Sequence, residues 1–264
     1  MEVLKKGTKG YFVEKLQEFL KLVGFPTQVV NGDYDDATLA NVLAYQKQKA
    51  LAADGIVGAQ TMLALVKQIK GIKEEDFVRV ATDMKVEVPA IKSVHMVEAG
   101  GFGFNVDGRP KILFEGHKFW AALVKKGIDP APLAAKNPDI IYPKWTKEFY
   151  SKDNFEEWKR MERAMAIDKD AAMLSASYGS FQIMGFNYAS CGYKTVQEFV
   201  DSQSKNEGNH LADFAKFVAN NGMLKALQEK DWATFAKKYN GPAYAENKYD
   251  IKLRDAYIKN GGKA

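Results

Sequence analysis

Hydrophobic side chains recur at helical spacing along most of the chain. Near the N-terminus a first stripe predicts a helix that Gly24 and Pro26 end; its members are Val13, Leu16, Leu20 and Val23. Two later segments, 32–38 and 55–61, share a pattern in which a glycine, five intervening residues and a threonine lead into another apolar stripe. These patterns predict a three-helix unit with a small core over about residues 1–70.

A second pattern begins after Gly71. The charged run 73–76 places acidic residues where the dipole at a helix N-terminus favours them, and it predicts a second domain over residues 75–264. Its periodicity predicts helices at about 75–84, 88–98, 116–126, 154–166, 169–176, 195–203, 207–219, 223–229, 231–239 and 249–258. Between them, apolar runs on either side of Asp107-Gly108 predict a β-hairpin over 104–114. The predicted fold is therefore mainly α, with the three-helix unit followed by an α+β domain that contains a small hairpin.

Composition narrows the class of protein. Of 264 residues, 46% are hydrophobic and 27% charged, as in ordinary soluble globular proteins, and a net charge of +5 is far below what a nucleic-acid binder would show. No apolar run approaches the ~18 residues of a membrane span, and the N-terminus lacks the features of a signal peptide. We therefore expect a cytoplasmic protein with neither a nucleic-acid partner nor membrane insertion. One cysteine, Cys191, and three histidines predict no disulfide framework, no metal site and no cofactor.

Glu98 is the strongest candidate for a catalytic residue. Pro89 and the Gly100-Gly101 pair bracket a helix on which Ile91, Val94 and Glu98 share one face. Burial and the negative end of the helix dipole would both raise the pKa of this carboxyl group, as a general acid requires. The alternative is a frayed last-turn glutamate in water, and periodicity alone does not separate the two. The hairpin predicted directly after this helix favours the buried alternative, because a carboxyl group between a helix end and a small sheet is well placed to line a cleft.

For the other polar residues a structural role competes with a functional one. Glu115 follows an apolar strand, so it either starts a helix or lines a cleft where it positions water. His117 is expected to be a partly buried histidine and not a metal ligand. Asp168 and Asp170 most simply cap the next helix. Cys191 is expected to be a packed residue and not a nucleophile.

The N-terminal unit resembles the peptidoglycan-binding domain of cell-wall hydrolases over about residues 1–68. The matching residues are Gly7 to Gly10, Val13, Leu16-Gln17, Gly32 with Thr38, Leu51, and Asp54 to Gly58 with Thr61.

The remainder, about 75–264, resembles the N-acetylmuramidase domain of modular phage endolysins, a branch of the lysozyme-like superfamily. The resemblance rests on four motifs in order: 97–104 (VEAGGFGF), 109–117 (RPKILFEGH), 177–185 (SYGSFQIMG) and 239–242 (YNGP). It implies that Glu98 is the catalytic acid and that substrate contacts come from Glu115, Tyr178, Gln182, Tyr239 and Asn240. Core packing is the competing explanation for each of the two tyrosines.

This resemblance implies a monomeric peptidoglycan hydrolase that cleaves the β-1,4 bond between N-acetylmuramic acid and N-acetylglucosamine. Such an endolysin would stay in the host cytoplasm until a holin released it to the periplasmic peptidoglycan. Two alternatives remain: a lytic transglycosylase, or a non-catalytic wall-binding or virion protein. Related transglycosylases often carry serine directly after the catalytic glutamate, where this chain has Ala99.

Overall fold

The computed structural model describes residues 2–263, which divide into two compact units. Unit 1 comprises the chain through Gly71 together with Phe104–Arg109, and unit 2 comprises Ile72–Gly103 and the chain from Pro110 onward. The segment 104–109 therefore packs with unit 1, although it lies within the sequence of the predicted second domain.

Unit 1 contains three helices, as predicted: α1 (Tyr11–Leu22), α2 (Asp36–Gln48) and α3 (Ala59–Lys70). The glycine-to-threonine repeat corresponds to a repeated contact. Gln17 in α1 is fully buried, and its Oε1 accepts the Gly32 N–H at 2.9 Å. Gln46 in α2 is buried in the same way and accepts the Gly55 N–H at 2.9 Å. Both glycines have φ of +70°, so each helix holds the left-handed turn that leads into the next helix.

Segment 104–109 forms a tight turn in unit 1. Phe104 is buried, and the Lys70 ammonium lies 4.8 Å from its ring centroid. Buried Asp107 accepts a hydrogen bond from the Arg109 side chain at 2.7 Å. The turn exists as predicted, but residues 104–106 do not form the first strand of a hairpin.

Unit 2 is mostly helical. Its helices are α4 (Glu74–Met84), α5 (Val88–Glu98), α6 (Gly116–Lys125), α7 (Ala131–Ala134), α8 (Asn154–Ile167), α9 (Lys169–Leu174), α10 (Val196–Gln203), α11 (Glu207–Asn220), α12 (Leu224–Gln228), α13 (Trp232–Asn240) and α14 (Tyr249–Lys259). Ten of these lie within two residues of the ranges that periodicity predicted. The short α7 was not predicted. No helix in residues 2–263 has the length and apolar character that crossing a membrane requires.

A small antiparallel sheet completes unit 2. Its strands, in order across the sheet, are β1 (Ile112–Phe114), β2 (Ala176–Tyr178) and β3 (Ile183–Met184). Ile112 pairs with Tyr178, so the partner of β1 lies far along the chain and not at 104–106. The predicted hairpin is therefore wrong in its pairing, because the turn that precedes β1 packs with unit 1. The hairpin in the sheet is instead β2–β3.

Candidate active site

The end of α5 fixes the position of Glu98. Ile91 and Val94 are buried on one face of the helix, and Glu98, its last residue, is half-buried. The next residue, Ala99, leaves helical geometry with ψ of 125°, although its N–H still donates to the His95 carbonyl oxygen at 3.0 Å. The carboxyl group therefore sits where the helix stops and the chain turns away.

Two side chains from distant helices act on this carboxyl group. The Asn240 amide donates to Glu98 Oε1 at 3.0 Å. Burial raises the pKa of Glu98, while the Asn240 hydrogen bond and the positive charge of Lys252 lower it in part. The net shift is upward, in the direction that the sequence predicted from burial. A carboxyl group of this kind holds its proton to higher pH than an exposed glutamate, as a general acid must.

Tyr239 lies next to Asn240 at the end of α13. Its ring stacks on Phe235 at 6.1 Å between centroids and meets the edge of Phe214 at 5.3 Å. Burial and the nearby charge of Glu98 raise the pKa of Tyr239, so its hydroxyl remains protonated. The structure thus brings Glu98, Tyr239 and Asn240 together across about 140 residues of sequence.

A cleft of about 280 Å³ begins at the segment that follows Glu98. It is lined by residues 100–102, 111–113, 151, 154, 179, 180 and 182. The Gly100 N–H donates to the Ser180 carbonyl oxygen at 2.9 Å, which ties the end of α5 to the β2–β3 connection. The backbone of this connection therefore forms one wall of the cleft.

Gln182 lies in that connection and is exposed to the cleft. Its φ of +49° is left-handed, an uncommon conformation for a residue with a side chain. The amide Nε2 donates to the Gly179 carbonyl oxygen at 2.8 Å, and Oε1 accepts from the Ser177 hydroxyl at 2.8 Å. These bonds fix the orientation of the amide at the cleft surface.

Tyr178 does not line the cleft. Its side chain is fully buried, its hydroxyl donates to the Met173 carbonyl oxygen at 3.1 Å, and its ring packs edge-on against Phe199. All three residues of β2 are buried, so the strand offers no exposed face to substrate. The prediction that Tyr178 contacts substrate is wrong, and core packing explains this tyrosine.

Glu115 lies just beyond β1. Ile112 and Phe114 of β1 are buried, while Leu113 and Glu115 point to the opposite, partly exposed face. The Glu115 carboxylate accepts from the Tyr150 hydroxyl at 2.6 Å and lies 3.2 Å from His117 Nδ1. Glu115 is the residue at which α6 begins, as the helix-start explanation expects, although its side chain makes no capping bond to that helix within the described chain. It is not among the residues that line the cleft, so its role there stays a prediction. Burial lowers the pKa of His117.

A buried polar network behind the cleft was not predicted. The Ser180 hydroxyl donates to Glu207 Oε1 at 2.8 Å, and the same oxygen accepts the Gly103 N–H at 2.9 Å. His210 Nδ1 accepts the Ser180 N–H at 3.1 Å. No local periodicity indicates these bonds, because they join the motif at 177–185 to a helix 30 residues further along.

The geometry also tests the predictions for Asp168 and Cys191. Asp168 caps α9, as expected, and accepts the Ala171 N–H at 2.8 Å. Cys191 is fully buried, and burial raises the pKa of its thiol to about 12, so it is a packed residue as predicted. Residues 2–263 contain no cluster of three or more side chains able to hold a metal ion.

Comparison with known protein families shows which families this chain matches. The family model described as N-acetylmuramidase matches residues 87–260, which includes Glu98, the cleft and Asn240. The chain belongs to the N-acetylmuramidase family. The model described as a putative peptidoglycan-binding domain matches residues 9–65 of this muramidase.

A solved structure and two curated proteins resemble the muramidase. The crystal structure of the Burkholderia AP3 phage endolysin is 37% identical, with a TM-score of 0.68, and the alignment covers 98% of this chain and 99% of that one. A probable N-acetylmuramoyl-L-alanine amidase and the amidase CwlL, both of Bacillus licheniformis, are 43% and 42% identical over 65 residues. The matched segment is 24% of this chain and 18% of the length of each amidase.

These findings confirm the main predictions of class. The chain has the expected modular organisation of an endolysin and a mainly α, lysozyme-like fold. Its family is one of peptidoglycan hydrolases of the glycosidase type.

Proposed function

We propose that this chain hydrolyses the β-1,4 bond between N-acetylmuramic acid and N-acetylglucosamine, with Glu98 as the general acid. The observation that carries the proposal is the environment of Glu98. Its carboxyl group is half-buried, its pKa is raised, and it accepts a hydrogen bond from Asn240, while the chain from Gly100 onward lines a cleft. These properties favour the protonated form of the carboxyl group, which is the form that a general acid needs to protonate a bound glycan.

In this mechanism Glu98 donates its proton to the glycosidic oxygen as positive charge develops on the muramic acid ring. The C1–O bond breaks, water adds at C1, and a second base accepts a proton from that water. Asn240 holds the Glu98 carboxyl group through the Oε1 atom that accepts its hydrogen bond.

We propose Glu115 as the second carboxylate. It lies on the partly exposed face of the β1 segment, and the Tyr150 hydroxyl fixes one of its oxygens. In this position Glu115 activates the attacking water or stabilises the positive charge on the sugar. Gln182, Tyr239 and Asn240 provide substrate contacts, since amides offer both donors and acceptors to N-acetyl groups and a tyrosine hydroxyl does the same.

The test is mass spectrometry of fragments released from purified sacculi by the wild-type chain, by Glu98→Gln, and by Glu75→Gln. Glu75 is a matched control because its side chain is 77% exposed. We expect wild type and Glu75→Gln to release fragments with reducing muramic acid ends. Glu98→Gln should fold and lose at least about 100-fold in rate.

Near-normal release by Glu98→Gln contradicts the assignment of the acid. Fragments one water lighter, with an anhydro ring, contradict hydrolysis and identify a lytic transglycosylase, in which the muramic 6-hydroxyl replaces water.

We infer that unit 1 anchors the chain to the wall, that the chain acts as a monomer, and that a holin-type pore gives it access to periplasmic peptidoglycan. The match to a peptidoglycan-binding domain supports the first inference, and the likeness to a phage endolysin supports the last.

A further inference from the structure

Trp145 is the most exposed tryptophan of the described chain. Of the four tryptophans in the sequence, Trp145 is 59% exposed, whereas Trp232 is buried and the other two are half-buried. An exposed indole presents a broad, rigid apolar face on which a ligand can stack.

Hydrogen bonds hold this exposed ring in place. The Trp145 indole N–H donates to the Tyr150 hydroxyl at 3.1 Å, and that hydroxyl donates in turn to Glu115 at 2.6 Å. The polar edge of the indole is therefore satisfied by the protein, which leaves the apolar ring faces as its binding surface. A side chain fixed in this way loses little conformational freedom when a ligand stacks on it.

The same contacts connect Trp145 to the cleft. Ser151, which follows Tyr150, lines the cleft directly, as does Leu113, on the same face of the β1 segment as Glu115. Trp145 is therefore tied, through Tyr150, to the segment whose next residue lines the cleft.

We propose that Trp145 is a stacking platform for an N-acetylhexosamine ring of the glycan strand, and that it extends the cleft beyond Glu115. This inference rests on the proposed function. One side of the indole is occupied by the Lys147 ammonium, 5.7 Å from the ring centroid, so the sugar stacks on the other. The C–H bonds of a β-linked pyranose lie on its flat faces and pack well against an aromatic ring.

The charge nearby suits peptidoglycan more than an uncharged glycan. Lys144 and Lys147 are both exposed beside Trp145, and with exposed Glu148 they leave the segment 144–148 a net positive charge. The stem peptide attached to muramic acid carries carboxylates, which these ammonium groups attract over about one Debye length. The platform therefore favours a sugar whose neighbour carries a stem peptide.

The kinetic test compares Trp145→Ala, Trp145→Phe and Phe186→Ala on soluble glycan fragments. Phe186 is a matched control: it is 47% exposed with the Lys118 ammonium 5.8 Å from its ring, and it borders a separate cavity beside Leu174 and Tyr188. We expect Trp145→Ala to raise KM about threefold to tenfold at nearly constant kcat. Trp145→Phe should recover most of this loss, and Phe186→Ala should behave as wild type.

A binding test removes the dependence on turnover. In the Glu98→Gln background, tryptophan fluorescence is titrated with peptide-free glycan strands prepared from sacculi. We expect a saturable emission change that disappears in Trp145→Phe while calorimetry still detects binding. An unchanged signal in Trp145→Phe, or an unchanged KM in Trp145→Ala, overturns the platform. If wild type lacks hydrolytic activity but the titration behaves as expected, the proposed function fails and the glycan platform stands.

Discussion

At the scale of single residues, Lys252 is one of the groups that act on the pKa of Glu98. Its positive charge lowers the pKa of Glu98 against the larger effect of burial. In the proposed mechanism Glu98 must be protonated to act as the general acid, so activity falls as pH rises through this pKa. Replacing Lys252 with Gln removes a lowering effect, so the pKa rises and the alkaline limb of the kcat profile should move to higher pH.

The measurement is the pH profile of kcat on soluble glycan fragments. Lys259→Gln is the control, since it removes the same charge from an exposed position near the far end of the same helix. An alkaline limb that stays in place in Lys252→Gln, or one that moves equally in both variants, contradicts electrostatic control by Lys252.

The raised pKa of Glu98 also has a cost in stability. A carboxyl group whose pKa is higher folded than unfolded contributes its stability below the unfolded pKa, and that contribution is lost as pH rises through the folded value. At about pH 7 this linkage opposes folding, because ionising the carboxyl group costs more in the folded chain than in the unfolded chain. Glu98→Gln should therefore raise the free energy of unfolding by about 1 kcal/mol. The gain should vanish near pH 3, well below the ordinary glutamate pKa of about 4.3.

Thermal unfolding at the two pH values checks this prediction. Glu75→Gln, at an exposed site, should change little at either pH. An equal effect of Glu98→Gln at both values would show that it acts through packing and not through charge.

At the scale of secondary-structure elements, His210 holds the β2–β3 connection in place through hydrogen bonds. Buried His210 accepts the Ser180 N–H through Nδ1, and its Nε2–H donates to the Gln203 carbonyl oxygen at 2.7 Å, so the ring is neutral. His210→Ala leaves both backbone groups without this partner. An unsatisfied buried polar group costs about 1–3 kcal/mol, and the wall of the cleft that holds Gln182 should loosen.

We expect His210→Ala to unfold at lower denaturant and to show a higher KM, whereas Asn209→Ala, on the adjacent position of α11, should keep a normal KM. Rescue of KM by His210→Gln, whose amide offers both an acceptor and a donor, would support the hydrogen-bonding role. A normal KM in His210→Ala would contradict it.

The accuracy of the sequence predictions differs between helices, strands and loops. Helices were predicted to within two residues because their period reports burial along one local face. The partner of β1 was wrong because strand pairing is non-local, and the predicted helix 169–176 included Ala176, the first residue of β2. Trp145 and Tyr150 were missed because their loop has no period, and a hydrogen bond to Glu115 is visible only in three dimensions.

Recognition of the site depended on motifs more than on pattern. Periodicity placed Glu98 on a buried face, but it left the exposed alternative open, and it could not bring Asn240 to the same carboxyl group. The resemblance to muramidases joined these two residues. It also assigned Tyr178 to the substrate groove, where burial of β2 shows that the motif position serves packing.

At the scale of the whole molecule, the proposed function pairs a wall-anchoring unit 1 with a catalytic unit 2, and this pairing predicts substrate-dependent effects. A binding module raises the local concentration of the attached enzyme on an insoluble polymer and gives no such advantage on a short soluble glycan. Deletion of residues 2–70 should therefore reduce activity on sacculi at least about tenfold more than activity on soluble fragments.

The ratio of the two activities is the quantity to measure, because the deletion has a second effect. Phe104 belongs to unit 1, where it is buried beneath the Lys70 side chain, and the deletion uncovers it. Damage from an exposed Phe104 lowers both activities together and leaves their ratio unchanged. A lower sacculus-to-soluble ratio therefore reports the loss of wall binding itself, and an unchanged ratio would mean that unit 1 contributes to the fold and not to substrate targeting.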